Sequence, residues 1–241
     1  MKKTGEPSLF DILGPIMIGP SSSHTAGASR IGFVARQLLD VEPTEAVITL
    51  YNSFARTHKG HGTDCAIIGG ILGFEPDDER LKSSFELAWQ KNLKWDFKFA
   101  GDAERFHSNA ARIRLNGKSN DDSNRSIEVV GASLGGGRIL IQEIEGFALE
   151  FNAQLDTLVI IAEDIKGSIQ KISGVISESG LNIAQMSVSR NVTQSIPLAS
   201  MVIELDQAPP NETVRAIGNL HWVKFSRLVP SMFSSSSRYE K

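Results

Sequence analysis

Apolar and polar positions alternate with different periods along this chain, and the change of period divides it. From Ser23 onward, Ala28, Ile31, Val34, Ala35, Leu38 and Leu39 recur every three or four residues, which predicts one amphipathic helix. Pro15 and Pro20 keep the segment before it extended or turned, and Ser21, Ser22 and Ser23 are residue types suited to capping its start. Residues 46–51 read as a strand. The polar run 52–64, rich in Gly and His, reads as a turn into a second helix over 65–72, with Thr63 or Asp64 as its cap. A third helix is expected over 81–92. Strands are expected over 112–115, 126–130, 138–142 and 147–151, with Gly131 and Gly135-Gly136-Gly137 marking turns or bulges.

After Asn152-Ala153-Gln154 the character changes. Residues 158–162 form a continuous apolar run, a buried strand, and Ile169, Ile172, Val175 and Ile176 then make a helical stripe ended by Gly180. Strands over 183–192 and 200–206 follow. A helix capped by Asn211 carries Val214, Ile217 and Leu220, and Val223, Phe225 and Val229 alternate in a last strand. The order βαββαβ within about 75 residues is the split βαβ arrangement. The expected fold class is α+β with two domains. An N-terminal α/β domain spans 1–152 and a ferredoxin-like βαββαβ domain spans 153–230, with a disordered serine-rich tail over 231–241.

Composition narrows the function. The 241 residues are 41% hydrophobic and 22% charged, enough to build cores and unlike a disordered chain. A net charge of −3 argues against a nucleic-acid binder. No apolar run has the length of a membrane span, and the N-terminus lacks the apolar stretch of a secretion signal, so a cytoplasmic location is expected. Cys65 is the only cysteine, which rules out an intrachain disulfide and a thiolate metal cage built from this chain alone.

Two motifs carry candidate chemistry. Ser21-Ser22-Ser23-His24-Thr25 gathers hydroxyls and an imidazole at a predicted helix start, where free N–H groups and a partial positive charge favour a carboxylate or phosphate. Such a cluster suits a small zwitterion or a proton transfer, and it equally suits abundant capping in a polar turn. In Thr57-His58-Lys59-Gly60-His61-Gly62-Thr63-Asp64 the glycines admit a close ligand and leave His61 exposed on a tight turn, with Asp64 placed to orient an imidazole. A surface turn with two histidines is the other reading. Gly60 and Gly62 disfavour a helical His58/His61 metal pair. His107 and His221 stand alone as structural residues. The dinucleotide fingerprint, the Walker lysine motif and the Gly-x-Ser-x-Gly elbow are all missing.

These motifs, with Phe10-Asp11-Ile12-Leu13-Gly14-Pro15, Gly19-Pro20 and Ala26-Gly27-Ala28 around them, resemble the β chain of the iron–sulfur L-serine dehydratases. Residues from about Leu155 to Val229 look like an ACT domain, a module that often senses amino acids, and the N-terminal domain resembles an allosteric-substrate-binding fold. The resemblance implies a lyase that deaminates L-serine to pyruvate and ammonia without pyridoxal phosphate, in amino-acid degradation and gluconeogenesis. It also implies a [4Fe–4S] cluster held by a separate α chain, its iron acting as a Lewis acid, with no metal in the present chain. His61 is then the first candidate acid or base and His24 the second, while Ser21, Ser22, Ser23, Thr25, Thr63 and Asp64 grip substrate or effector. Gly167, Asn182 and Ile183 are the candidate effector pocket of the ACT domain, through which a homodimer is expected. Nucleic-acid and membrane partners are not expected. A purely regulatory or stand-alone serine-sensing protein is the alternative.

Overall fold

The computed structural model describes residues 17–191 and 197–232, so the motif at 10–15 and the tail from 233 onward lie outside the described residues. Two compact units divide between Leu140 and Ile141, ahead of the change of sequence character at Asn152.

In the first unit a π-helical turn, Ser22–Ala26, runs directly into helix α1, Gly27–Leu39. Strand β1, Pro43–Leu50, is followed by α2, Asn52–His61, α3, Thr63–Ile71, and, after a 3-10 turn, α4, Ser84–Gln90. Strands β2, Lys94–Phe99, β3, Ala110–Lys118, and β4, Asn124–Gly135, complete it, with sheet order β2-β1-β3-β4. β1 and β2 are parallel, which requires a long crossover, and α2, α3 and α4 supply it. The β1–β3 and β3–β4 pairs are antiparallel. β2 has no counterpart among the expected strands, although Trp95, Phe97 and Phe99 alternate with Lys94, Asp96 and Lys98.

Every member of the predicted α1 stripe is buried, and so are Gly27, Ser29, Arg30 and Gly32. The reason is that α1 is covered twice, by β3 and β4 and by α3. The second contact is backbone against backbone. A Cβ on Gly70 would lie 1.9 Å from the Ser29 carbonyl oxygen, and one on Gly32 would lie 2.4 Å from that of Ile67. Helix α3, apolar on all sides, is buried from Ala66 to Ile71 for the same reason.

The run 52–61 is helix, not turn. Phe54 is fully buried beneath it. Asn52, at φ 50°, donates to the carbonyls of Ala103, Phe106 and His107 and accepts from the Ala103 N–H, which fixes the helix start. The break comes at Gly62, whose φ of 65° is the left-handed conformation that ends α2 and opens α3. Gly62 itself therefore occupies the capping position expected for Thr63 or Asp64.

Strand β5, Arg138–Ile144, runs across the division and makes a hairpin with β6, Phe147–Phe151, turned through Glu145 and Gly146, both at positive φ. β7, Asp156–Glu163, α5, Ser168–Glu178, β8, Ile183–Asn191, β9, Leu198–Leu205, α6, Asn211–Gly218, and β10, Val223–Val229, follow. The antiparallel order β10-β7-β9-β8 is that of a ferredoxin-like βαββαβ sheet. Its core joins Leu158, Ile160, Met201 and Ile203 from the strands to Ile172, Ile176 and Ile217 from the helices. Asn211 begins α6 but makes no side-chain cap.

Candidate functional site

The two sequence motifs meet in the first unit. Ser21 caps the π-helical turn, its Oγ accepting from the His24 N–H at 3.1 Å, and the Gly27 N–H reaches back to the Ser22 carbonyl in the wide five-residue bond of a π turn. The wide turn carries His24 toward α2. Its ring centroid lies 4.8 Å from that of His61 and 5.3 Å from that of Phe54, against which it packs edge-on. Thr25 Oγ1 donates to the His61 carbonyl at 3.2 Å, tying the turn to the last residue of α2. His61 is exposed, whereas His24 is half-buried behind it.

Hydroxyls occupy both nitrogens of the His24 ring. Ser23 Oγ lies 3.1 Å from Nδ1, with Ser21 Oγ at 3.5 Å, and Ser53 Oγ lies 3.4 Å from Nε2. Burial first, and the neighbouring His61 second, hold the His24 imidazole below its ordinary value of 6.5. His24 is thus neutral near neutral pH. Ser22 takes no part in this network. Ser53 belongs to the site although nothing in the sequence reading singled it out. A hydroxyl early in a polar helix has many uses, and its partner lies 29 residues away.

The serine dehydratase beta chain family profile matches residues 8–144. This chain belongs to the serine dehydratase β-chain family. It is 43% identical over 200 residues to the probable L-serine dehydratase beta chain of Bacillus subtilis (strain 168), a match covering 83% of this chain and 87% of that one. It is 38% identical over 209 residues to the L-serine dehydratase beta chain of Peptoniphilus asaccharolyticus, covering 87% and 91%. A shorter match, 47% over 82 residues, joins it to L-serine dehydratase 2 of Escherichia coli (strain K12), across 32% of this chain and 18% of that one.

In this serine dehydratase β-chain family member, the other candidate residues scatter. Thr63 is fully buried at the start of α3, and its Oγ1 has no hydrogen-bond partner among the described residues. Asp64 accepts from the Cys65 N–H at 2.8 Å rather than orienting a histidine. His58 stacks on Phe99 with centroids 4.3 Å apart, away from the His24 pair. Gly167, at φ 84°, precedes α5, while Asn182, bonded to Asp206, and Ile183 follow its far end. The helix has 11 residues, about 16 Å of rise, so within one copy these three do not share a pocket.

An iron–sulfur cluster does not fit this chain. Cys65 Sγ donates to the Leu81 carbonyl at 3.0 Å, and burial pushes its thiol up, away from the thiolate a cluster needs. Among the described residues no group of three or more His, Cys, Asp or Glu side chains is placed to hold a metal ion, and no helix is long and apolar enough to cross a membrane.

The depressed His24 predicts a pH dependence of stability. Between its folded value and 6.5 the unfolded chain binds more protons than the folded one, so stability falls as pH drops below 6.5 and recovers above it. The Glu42 carboxyl is held low chiefly by its hydrogen bond to Arg36, so its contribution is lost only in more acid solution, below 4.5. Thermal melts from pH about 8 to 5 should show Tm declining at the acid end, and His24→Gln should flatten that decline.

Proposed function

We propose that this chain is the β subunit of an L-serine dehydratase that deaminates L-serine to pyruvate and ammonia without pyridoxal phosphate, working with a separate chain that holds a [4Fe–4S] cluster. The observation that carries the reading is the pair of imidazoles, His24 and His61, brought to 4.8 Å by two motifs in a member of this family.

His61, exposed at the end of α2, is the group that exchanges a proton with substrate. His24 lies behind it with both nitrogens engaged, so its part is to hold and polarise rather than to attack.

The second unit, in this reading, is an ACT domain that binds an amino-acid effector and pairs with a second copy. Its βαββαβ order supports this, as does the positive-φ loop at Gly167, beside which Ile165 and Ile169 stand exposed. Two copies would also let Gly167 of one meet Asn182 and Ile183 of the other, which a single copy keeps apart.

The test is anaerobic pyruvate formation from L-serine, with this chain titrated into a reconstituted cluster-bearing α chain. This chain alone should give no pyruvate, and activity should rise and saturate as it is added. No activity at any ratio, with both chains folded and the cluster intact, would replace this reading with a serine sensor.

A further inference from the structure

His24 is gripped from two sides by elements distant in sequence, and a neutral imidazole cannot treat both partners alike. It carries one N–H and one lone pair, so one flanking hydroxyl donates to it and the other accepts from it. The serine spacings are compatible with one ordered chain of donors. Ser21 Oγ accepts the His24 backbone N–H and lies 3.3 Å from Ser23 Oγ, so its own proton is free to bridge to Ser23. Ser23 Oγ, accepting that bond, can in turn donate to Nδ1, the closest of the ring contacts at 3.1 Å. The ring proton then sits on Nε2, facing Ser53 Oγ at 3.4 Å.

We propose that Ser53 is a positioning residue: by accepting from Nε2 while Ser23 donates to Nδ1, it fixes His24 as the Nε2–H tautomer and completes a one-way chain Ser21–Ser23–His24–Ser53. The far end of that chain is preorganised. Asn52 is locked by its amide bonds to the segment at Ala103–His107, and the Ser53 N–H donates to the Ser108 carbonyl at 2.7 Å. The Ser53 hydroxyl makes no other hydrogen bond among the described residues. Because the rest of Ser53 is held through its backbone, and the Thr57 hydroxyl also bonds its carbonyl, removal of the hydroxyl leaves α2 in place.

The tautomer belongs to this chain alone. Only its consequence for turnover rests on the dehydratase reading above. The experiment is long-range 1H–15N correlation NMR of the full chain with labelled histidine, at a pH of about 8 where imidazoles are neutral. His24→Gln identifies the His24 signal among the five histidines. The wild-type spectrum should show a protonated Nε2 and an unprotonated Nδ1. Ser53→Ala should give the averaged shifts of a tautomer mixture, with backbone amides otherwise unmoved, and Ser53→Thr should restore the single form. A wild-type Nδ1–H form, or a single Nε2–H form that persists in Ser53→Ala, overturns the proposal. Should Ser53→Ala fail to fold, the wild-type spectrum and Ser53→Thr still decide it. In the reconstituted enzyme Ser53→Ala should lower kcat roughly tenfold with KM little changed, the loss of one alignment rather than of binding. Absence of turnover in the wild type would instead defeat the dehydratase reading and leave the tautomer result standing.

Discussion

Replacing His61 with alanine is expected to lower kcat for pyruvate formation about 100- to 10,000-fold, the range for removing a general acid or base. Assembly with the cluster-bearing chain should be unaffected. The side chain is exposed, and its tie to the rest of the site runs through the carbonyl, which accepts from Thr25 and survives the substitution. Stability should accordingly stay within about 0.5 kcal/mol of wild type. The measurement is steady-state kinetics together with sedimentation of the assembled complex. A preserved kcat with a shifted dependence on serine would make the paired histidines an effector site. An unchanged curve would remove His61 from the site altogether.

Gly70→Ala should be the most damaging small substitution in the first unit. Its new methyl would meet the Ser29 carbonyl oxygen at 1.9 Å and the Phe33 nitrogen at 2.8 Å, both backbone atoms that cannot rotate away. Helices α1 and α3 would have to part along a contact in which Gly32 already meets the Ile67 carbonyl. A cost of about 3 kcal/mol, at the upper end of overpacking, corresponds to a Tm lower by about 6–12 °C. Activity should fall too, even at temperatures where the variant remains folded. The turn bearing His24 is continuous with α1, and His61 stands two residues before α3, so separating the helices separates the rings. Gly60→Ala is the control: nothing lies within 4 Å of the added carbon, and an alanine inside α2 should be neutral or stabilising by about 0.5–1 kcal/mol. Equal melting of Gly70→Ala and wild type would mean that the helices do not approach as described.

Much of this molecule is written locally. The stripe from Ala28 to Leu39, the apolar run 158–162 and the alternation in 223–229 report burial through their period, and each became the expected element. The Ser-rich motif announced a capped helix start, and Ser21 performs that capping. Those features depend on residues within one or two turns of each other, and side-chain period is a local quantity.

What the tertiary structure alone decided involves partners far apart in sequence. Residues 52–61 carry a glycine, two histidines and several polar groups, a composition that reads as a turn. They are helical because Asn52 is anchored to the segment near Ala103 and Phe54 is buried. Ser53 joined the site, and Asp64 was turned to its own neighbour's N–H, once that helix was placed. The close approach of α1 and α3 depends on glycines, which leave no mark in a hydrophobic period because they contribute no side chain. The sequence by itself determined the periods of most helices and strands and where the two candidate motifs stand along them. Their distances, and the neutral state of His24, follow from desolvation and hydrogen bonding between segments that only folding brings together.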